Sequence, residues 1–212
     1  MRAALAPIAL ALAACAAPTS DAAMPCETLF DFADADDLAA WSVQNDTVMG
    51  GNSQGAMADA GALLFEGNLV TRGGGFVQVN APLPDGALTG AKSLRVVGAS
   101  GGRPWRVRIE TDQRVPRAEA RGGEAGSRVI TRSGPDMDGP RVAFSAPIEG
   151  WDTGTESDIG TADLIAPDAS MRGRPVRGAT WNPAEARSLG LILADGRDAP
   201  FSLRIERIEA CR

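Results

Sequence analysis

The 212-residue chain contains no histidine and no tyrosine. Without His it lacks the usual base of a Ser–His–Asp triad, the commonest nitrogen ligand of a metal and the ordinary proton shuttle near neutral pH. Most hydrolase designs are excluded on that ground alone. Cysteine is scarce, at three residues, and basic charge is in deficit: 21 Lys and Arg stand against 27 Asp and Glu, a net charge of −6. An acidic surface argues against the phosphate neutralisation that nonspecific nucleic-acid binding relies on, so no nucleic-acid partner is expected. What is plentiful is turn-forming: 25 Gly and 14 Pro beside 44% hydrophobic residues. That is the composition of a turn-rich globular chain, long enough for one domain with a sizeable core.

The first segment, "MRAALAPIALALAACAAPTS", has Arg2 and then no charge until Asp21. Its apolar part is too short to span a bilayer and has the layout of a signal peptide, expected over residues 1–14. Leu12-Ala13-Ala14-Cys15 resembles the bacterial lipobox, in which the Cys is acylated and becomes the first mature residue. Several acyl chains on Cys15 would hold the protein on a membrane. The alternative is an ordinary secretory signal cut near Ala22-Ala23, with Cys15 discarded. Ala16, rather than Asp, favours the outer membrane where the host has one. The chain is therefore expected at the periplasmic face of a bacterial membrane, as a lipoprotein. Residues 15–25 read as a linker, and 26–212 as one domain.

Cys26 and Cys211 stand at the two extremes of that domain. In an oxidising compartment such a pair reads as a disulfide, which requires the first and last strands to be neighbours. Two distant thiols are too few for a metal site, and no metal is expected. Between them the pattern has period two. A strand is expected over Thr28–Phe32, followed by one helical turn with Asp36 or Asp37 as N-cap and Leu38 and Trp41 facing inward. The segments "ALLFEGNL", "GFVQVN", "KSLRVVG", "PWRVRIET", "SRVIT", "RVAFSAPI", "SLGLILAD" and "FSLRIERIEAC" are strand-like, separated by Gly, Pro, Asn and Asp. A slip in alternation after Ile205 suggests a bulge. "WNPAEAR" is a second short helix signal, with Asn182 as N-cap and Pro183 at the first position. Residues 111–140 read mostly as an exposed hairpin or loop. These features predict an all-β chain, a β-sandwich of jelly-roll type with one or two very short helices.

Three segments together resemble the complex I intermediate-associated protein 30 family. They are "WSVQNDTVMGGNS" from Trp41, "LLFEGNLVTRGGGFVQV" from Leu63, and the stretch from Met171 to Ala210 with its "MRGRP" and "DAPF" elements. The resemblance implies a galactose-binding-like jelly roll. Asn80 stands where the family tends to carry Arg, and residues 111–160 do not align. The best-known members assist assembly of respiratory complex I from the matrix side, equivalent to the bacterial cytoplasm, whereas an exported protein faces the other way.

Binding candidates follow from these motifs. Asn45, Asp46, Met49, Gly50, Gly51 and Ser53, beside Gly74, Gly75 and Phe76, either hold a turn or line a binding surface at one end or face of the sandwich. Val48 and Met49 are expected to plug the sandwich edge. Arg172 and Arg174, with Arg177, make the main basic patch, either solvated or contacting an anion. Asp34, Asp36 and Asp37 read as a solvated capping turn rather than a calcium loop. Asp152, Glu156 and Asp158 share one loop and raise a carboxylate glycosidase reading. Without His or a cofactor fingerprint, no catalytic residue and no cofactor are expected. The leading expectation is a non-catalytic, membrane-tethered domain that binds an envelope or membrane protein as an assembly or stability factor. The alternative is a carbohydrate-binding module, in which Trp151 and Trp181 serve as sugar-stacking platforms while Trp41 and Trp105 lie in the core.

Overall fold

In the computed structural model, residues 24–114, 141–148, 151, 156–168 and 178–212 are described. The expected signal segment, Cys15, the strand over 127–131 and the patch of Arg172, Arg174 and Arg177 lie outside them, as do the side chains of Val48 and Met49. The strands in chain order are β1 (Cys26–Asp31), β2 (Ser42–Asn45), β3 (Gln54–Asp59), β4 (Leu63–Leu69), β5 (Val77–Pro82) and β6 (Ser93–Ala99). They continue as β7 (Arg106–Arg114), β8 (Arg141–Pro147), β9 (Glu156–Gly160), β10 (Ile165–Asp168), β11 (Ala186–Leu193) and β12 (Ala199–Cys211). One α-helix, α1, spans Ala35–Ala39.

Two six-stranded sheets face each other. The first runs β3-β4-β12-β6-β9, with β1 on the remaining half of the β12 edge; the second runs β10-β8-β7-β11-β5-β2. Every pairing among the described residues is antiparallel. The result is an all-β jelly-roll sandwich. Alternation decides which side chains meet. In β7, Val107 and Ile109 are buried while Arg106, Arg108 and Glu110 stand on the other face. In β12, Phe201, Leu203, Ile205 and Ile208 enter the core, and the register against β6 slips between Ile205 and Arg207, as the sequence pattern suggests. Rings of Phe65, Trp105 and Phe201 pack together in that core, Trp105 edge-on to Phe201 and Phe65 tilted against both, and edge-on geometry favours aromatic pairs beyond the area they bury.

Local signals shift by a residue or two. The N-cap of α1 is Asp34, whose Oδ1 accepts the Asp36 N–H at 2.9 Å; Asp37 instead accepts the Asp31 N–H at 2.7 Å. Asp36 and Asp37 thus fill the first turn, where the helix dipole favours acids. The "WNPAEAR" segment is a single 3-10 turn, Pro183–Glu185, rather than an α-helix. Asn182 caps it, but Gln113 Nε2 reaches Glu185 Oε2 at 2.8 Å and Ala186 is already extended as the start of β11.

Cys26 and Cys211 form the disulfide, and they are register partners of β1 and β12. The 13-residue β12 carries the chain about 40 Å from the sandwich's other end to that bond, at strand rise per residue. At that other end the connections 46–53, 70–76, 100–105 and 194–198 gather, with Ile148 and Trp151 beside them.

Candidate functional site

β2 lies at the edge of the second sheet and β3 at the edge of the first, so residues 46–53 carry the chain across the sandwich. Asn45 joins the two strands: its Nδ2 donates to the Gly55 carbonyl at 3.2 Å and its Oδ1 accepts the Gly55 N–H at 3.1 Å. Asp46 then opens a 3-10 turn, Asp46–Met49, with its side chain fully buried. Oδ1 accepts the Ser53 N–H at 2.8 Å, and Oδ2 accepts the Ser53 hydroxyl at 2.7 Å and the Gly75 N–H at 2.6 Å. The Ser53 hydroxyl in turn accepts the Val70 N–H at 3.0 Å. Burial opposes ionisation of Asp46, but donors from Gly75, Ser53 and Phe76 outweigh it and hold the carboxyl below its ordinary value.

Two glycines are dictated by this carboxylate. A Cβ on Gly51 would lie 2.2 Å from Asp46 Cγ, and one on Gly74 2.4 Å from Asp46 Oδ2. The "NDTVMGGNS" stretch and the Gly-Gly-Gly-Phe turn are therefore two halves of one knot around a buried anion. Asp46, Gly51, Ser53 and Phe76 are turned inward; Gly50 and Gly74 are exposed at the knot's surface.

A second clamp stands beside it. Arg103 and Asp195 form a bidentate pair, Nε to Oδ2 and Nη2 to Oδ1, both at 2.7 Å, with each side chain 6% exposed. Arg103 also donates to the carbonyls of Arg197, Ala199 and Pro200, which spends all five of its N–H groups. Burial opposes ionisation of Asp195, yet Arg103 and Arg197 bring its carboxyl down to about 2. The Gly-bearing turns "SGGRPW" and "ADGRD" carry this pair. Neither residue belongs to a motif that the sequence singles out.

Between these turns opens a cleft of about 550 Å³, within the range of small-ligand sites. Pro104, Pro147, Ile148 and Trp151 form apolar walls, and Arg106 stands at the rim. Trp151 is 2% exposed and belongs to the core cluster, so it offers no sugar-stacking face; Trp181 is half-buried with its ring 5.3 Å from Phe144. Trp41 and Trp105 are core residues.

The outer face of the second sheet is recessed. Gln78, Ser145 and Ile192 alternate away from the core yet are nearly excluded from water. Gln78 Oε1 is buried there with no hydrogen-bond partner among the described residues. Asn80 lies on the same face, opposite Gly190.

The carboxylates of the glycosidase reading are placed elsewhere. Glu156 and Asp158 lie on β9, on the outer face of the first sheet, and pair with Arg95 and Arg207; Asp152 is outside the described residues. Cys26, Cys211 and Glu209 are the described group close enough to hold a metal, but both thiols are spent in the disulfide.

Fold and site together define a jelly-roll β-sandwich with its loops tied by two buried carboxylates. Residues 30–205 match the model of complex I intermediate-associated protein 30, and the chain belongs to that family. Comparison with curated proteins returns no match. Among solved structures it is similar to the family 11 carbohydrate-binding module of the cellulosomal cellulase Lic26A-Cel5E of Clostridium thermocellum, with a TM-score of 0.58, 11% identity, and 90% of this chain and 97% of that one covered. It is likewise similar to a family 11 module from Clostridium thermocellum in complex with a β-1,3-1,4-mixed-linked tetrasaccharide, with a TM-score of 0.52, 13% identity, and 90% and 97% covered. At that identity the likeness is one of fold.

Proposed function

We propose that this chain is a non-catalytic binding domain, exported and tethered to a bacterial membrane through acylated Cys15, that docks an envelope protein at its loop end. The observation that carries this reading is polarity of the molecule. The linker 15–25 leads to Cys26, while the loops tied by Asp46 and Arg103 lie at the far end of β12. A tether at one end and rigid loops at the other present those loops away from the bilayer, and rigid loops bind without a large ordering loss. The absence of His and the arginine-paired state of Glu156 and Asp158 favour binding over hydrolysis.

In-cell crosslinking and affinity capture of the full-length, C-terminally tagged protein, with Cys15→Ala as the untethered control, tests it. A defined envelope protein whose recovery depends on Cys15 is expected. Recovery of bulk lipoproteins alone would sink the reading. A carbohydrate-binding reading has one specific support, the unpartnered Gln78 amide oxygen on the recessed face, since buried acceptors call for a donor and sugar hydroxyls supply one. A glycan array with the native chain and Gln78→Leu separates the two: glycan retention lost in the variant favours the sugar.

A further inference from the structure

We propose that the cleft beside Arg106 takes a free carboxylate carried next to an apolar side chain, the arrangement found at the C-terminus of a peptide. The inference rests on the binding-domain reading and names the chemistry the loop end recognises.

Most polar groups around the cleft are already spent. Arg103 donates to Asp195 and to three backbone carbonyls, so it has no N–H left for a ligand. Asp195 accepts from Arg103, from the Arg197 backbone and from the Arg197 side chain, so the one carboxylate in the lining is neutralised. The charged group that remains is Arg106. Among the described residues Arg106 has one side-chain hydrogen bond, Nη2 to the Ser145 hydroxyl at 3.2 Å, and no carboxylate partner. Its half-buried guanidinium is thus held in place and still carries unused N–H groups. Trp151 Nε1, another donor, is buried without a partner among the described residues.

A rim whose carboxylate is spent and whose guanidinium still has N–H groups to give suits an anion better than a sugar, whose hydroxyls each bring a donor as well as acceptors. Carboxylate geometry matches the planar guanidinium, which binds it in two parallel bonds. The walls of Pro104, Pro147 and Ile148 accept an apolar neighbour rather than a hydrated one. No flat aromatic face is open for stacking, because Trp105 is fully buried and Trp151 is 2% exposed. An acid flanked by an aliphatic group satisfies all three conditions.

The test is a titration of the full chain in detergent micelles, followed by the indole N–H resonances of its four tryptophans. The probe is acetyl-Ala-Ala-Leu, used as the free acid and as the C-terminal amide. The Trp151 resonance is expected to move saturably with the acid, and the amide to bind at least about tenfold more weakly, as loss of one charge-assisted bond implies. Arg106→Gln should abolish the distinction between acid and amide, and Arg106→Lys should restore part of it. An unmoved Trp41 resonance reports an intact core throughout.

No shift with either form, or equal binding of both in the native chain, would overturn the proposal. So would undiminished discrimination in Arg106→Gln, or trigalacturonate binding more tightly than the peptide. Capture of the same envelope protein by Arg106→Gln as by the native chain would remove the cleft from recognition while leaving the tethered binding domain standing.

Discussion

The carboxylate of Asp46 and the backbone nitrogen of Gly75, 29 residues apart in sequence, meet at 2.6 Å inside the protein. That contact ties the β2–β3 crossover between the sheets to the β4–β5 connection on the same end. Among the described residues no cation pairs with this anion; backbone amides and one hydroxyl supply its compensation. Such an arrangement leaves no room for a neutral isostere, because every position around the carboxylate is a donor.

Asp46→Asn should therefore lower unfolding stability by about 2–3 kcal/mol, since the new amide N–H faces another donor and one buried partner goes unsatisfied. Gly74→Ala should destabilise as well, its Cβ falling 2.4 Å from Asp46 Oδ2. Urea denaturation with an unchanged slope is the measurement. If Asp46→Asn unfolds at the native midpoint, the knot is not what holds the loops.

Acid should weaken the protein through the two buried carboxylates. In the folded chain both Asp46 and Asp195 titrate below the ordinary carboxylate value, Asp195 at about 2. Depressed groups stabilise the fold fully above the unfolded value, and that contribution is lost as pH falls from about 4 through the folded values. For Asp195 the shift corresponds to about 2 kcal/mol. Stability profiles between pH 5 and pH 2 should fall steeply for the native chain and less steeply for Asp195→Asn, which starts from a lower plateau because Arg103 is left buried and unpaired. Parallel slopes would remove Asp195 from the acid response.

The interior strands of both sheets were legible in the sequence, as was β1, which pairs only with β12; the outermost strands were not. β2, β3, β9 and β10 are the four strands missing from the period-two reading, and they are the four outer strands of the two sheets. An edge strand pairs on one side only and buries less, so its sequence need not alternate: β3 reads "QGAMAD" and β9 "ESDIG". Polar edges also discourage pairing with other chains.

At the loop end the family motif was legible as a unit, but not the reason for it. Asn45, Asp46, Gly51, Ser53, Gly74 and Gly75 do converge, around a buried anion that no spacing announces. Arg103 and Asp195 stayed hidden for a plainer reason. They are 92 residues apart, and the Arg of one turn gives no hint of which Asp in another it meets.

Glu156→Gln should change stability by less than about 1 kcal/mol, because exposed ion pairs contribute little. Its partners Arg95 and Arg207 keep Asp158 and Glu209. Thermal unfolding checks this, and a loss of several degrees would mean that the charged ladder on the first sheet holds more than its exposure implies.

The disulfide offers the largest single test. Cys26 and Cys211 close a loop of 185 residues, for which the chain-entropy relation gives about 5 kcal/mol. That figure assumes the reduced chain gains its full freedom on unfolding and the folded chain loses nothing else. Here the folded side is well supplied without the bond, since β1 pairs with β12 along five register partners and Phe30 and Phe32 pack against Trp41. Cys26→Ser/Cys211→Ser should therefore remain folded and unfold at lower denaturant, with the native sheet content retained by circular dichroism. If the variant is unfolded in buffer, strand pairing is not sufficient at that end. A midpoint equal to the native one would mean that β1 stays docked on β12 even in the unfolded ensemble, so that the bond constrains little.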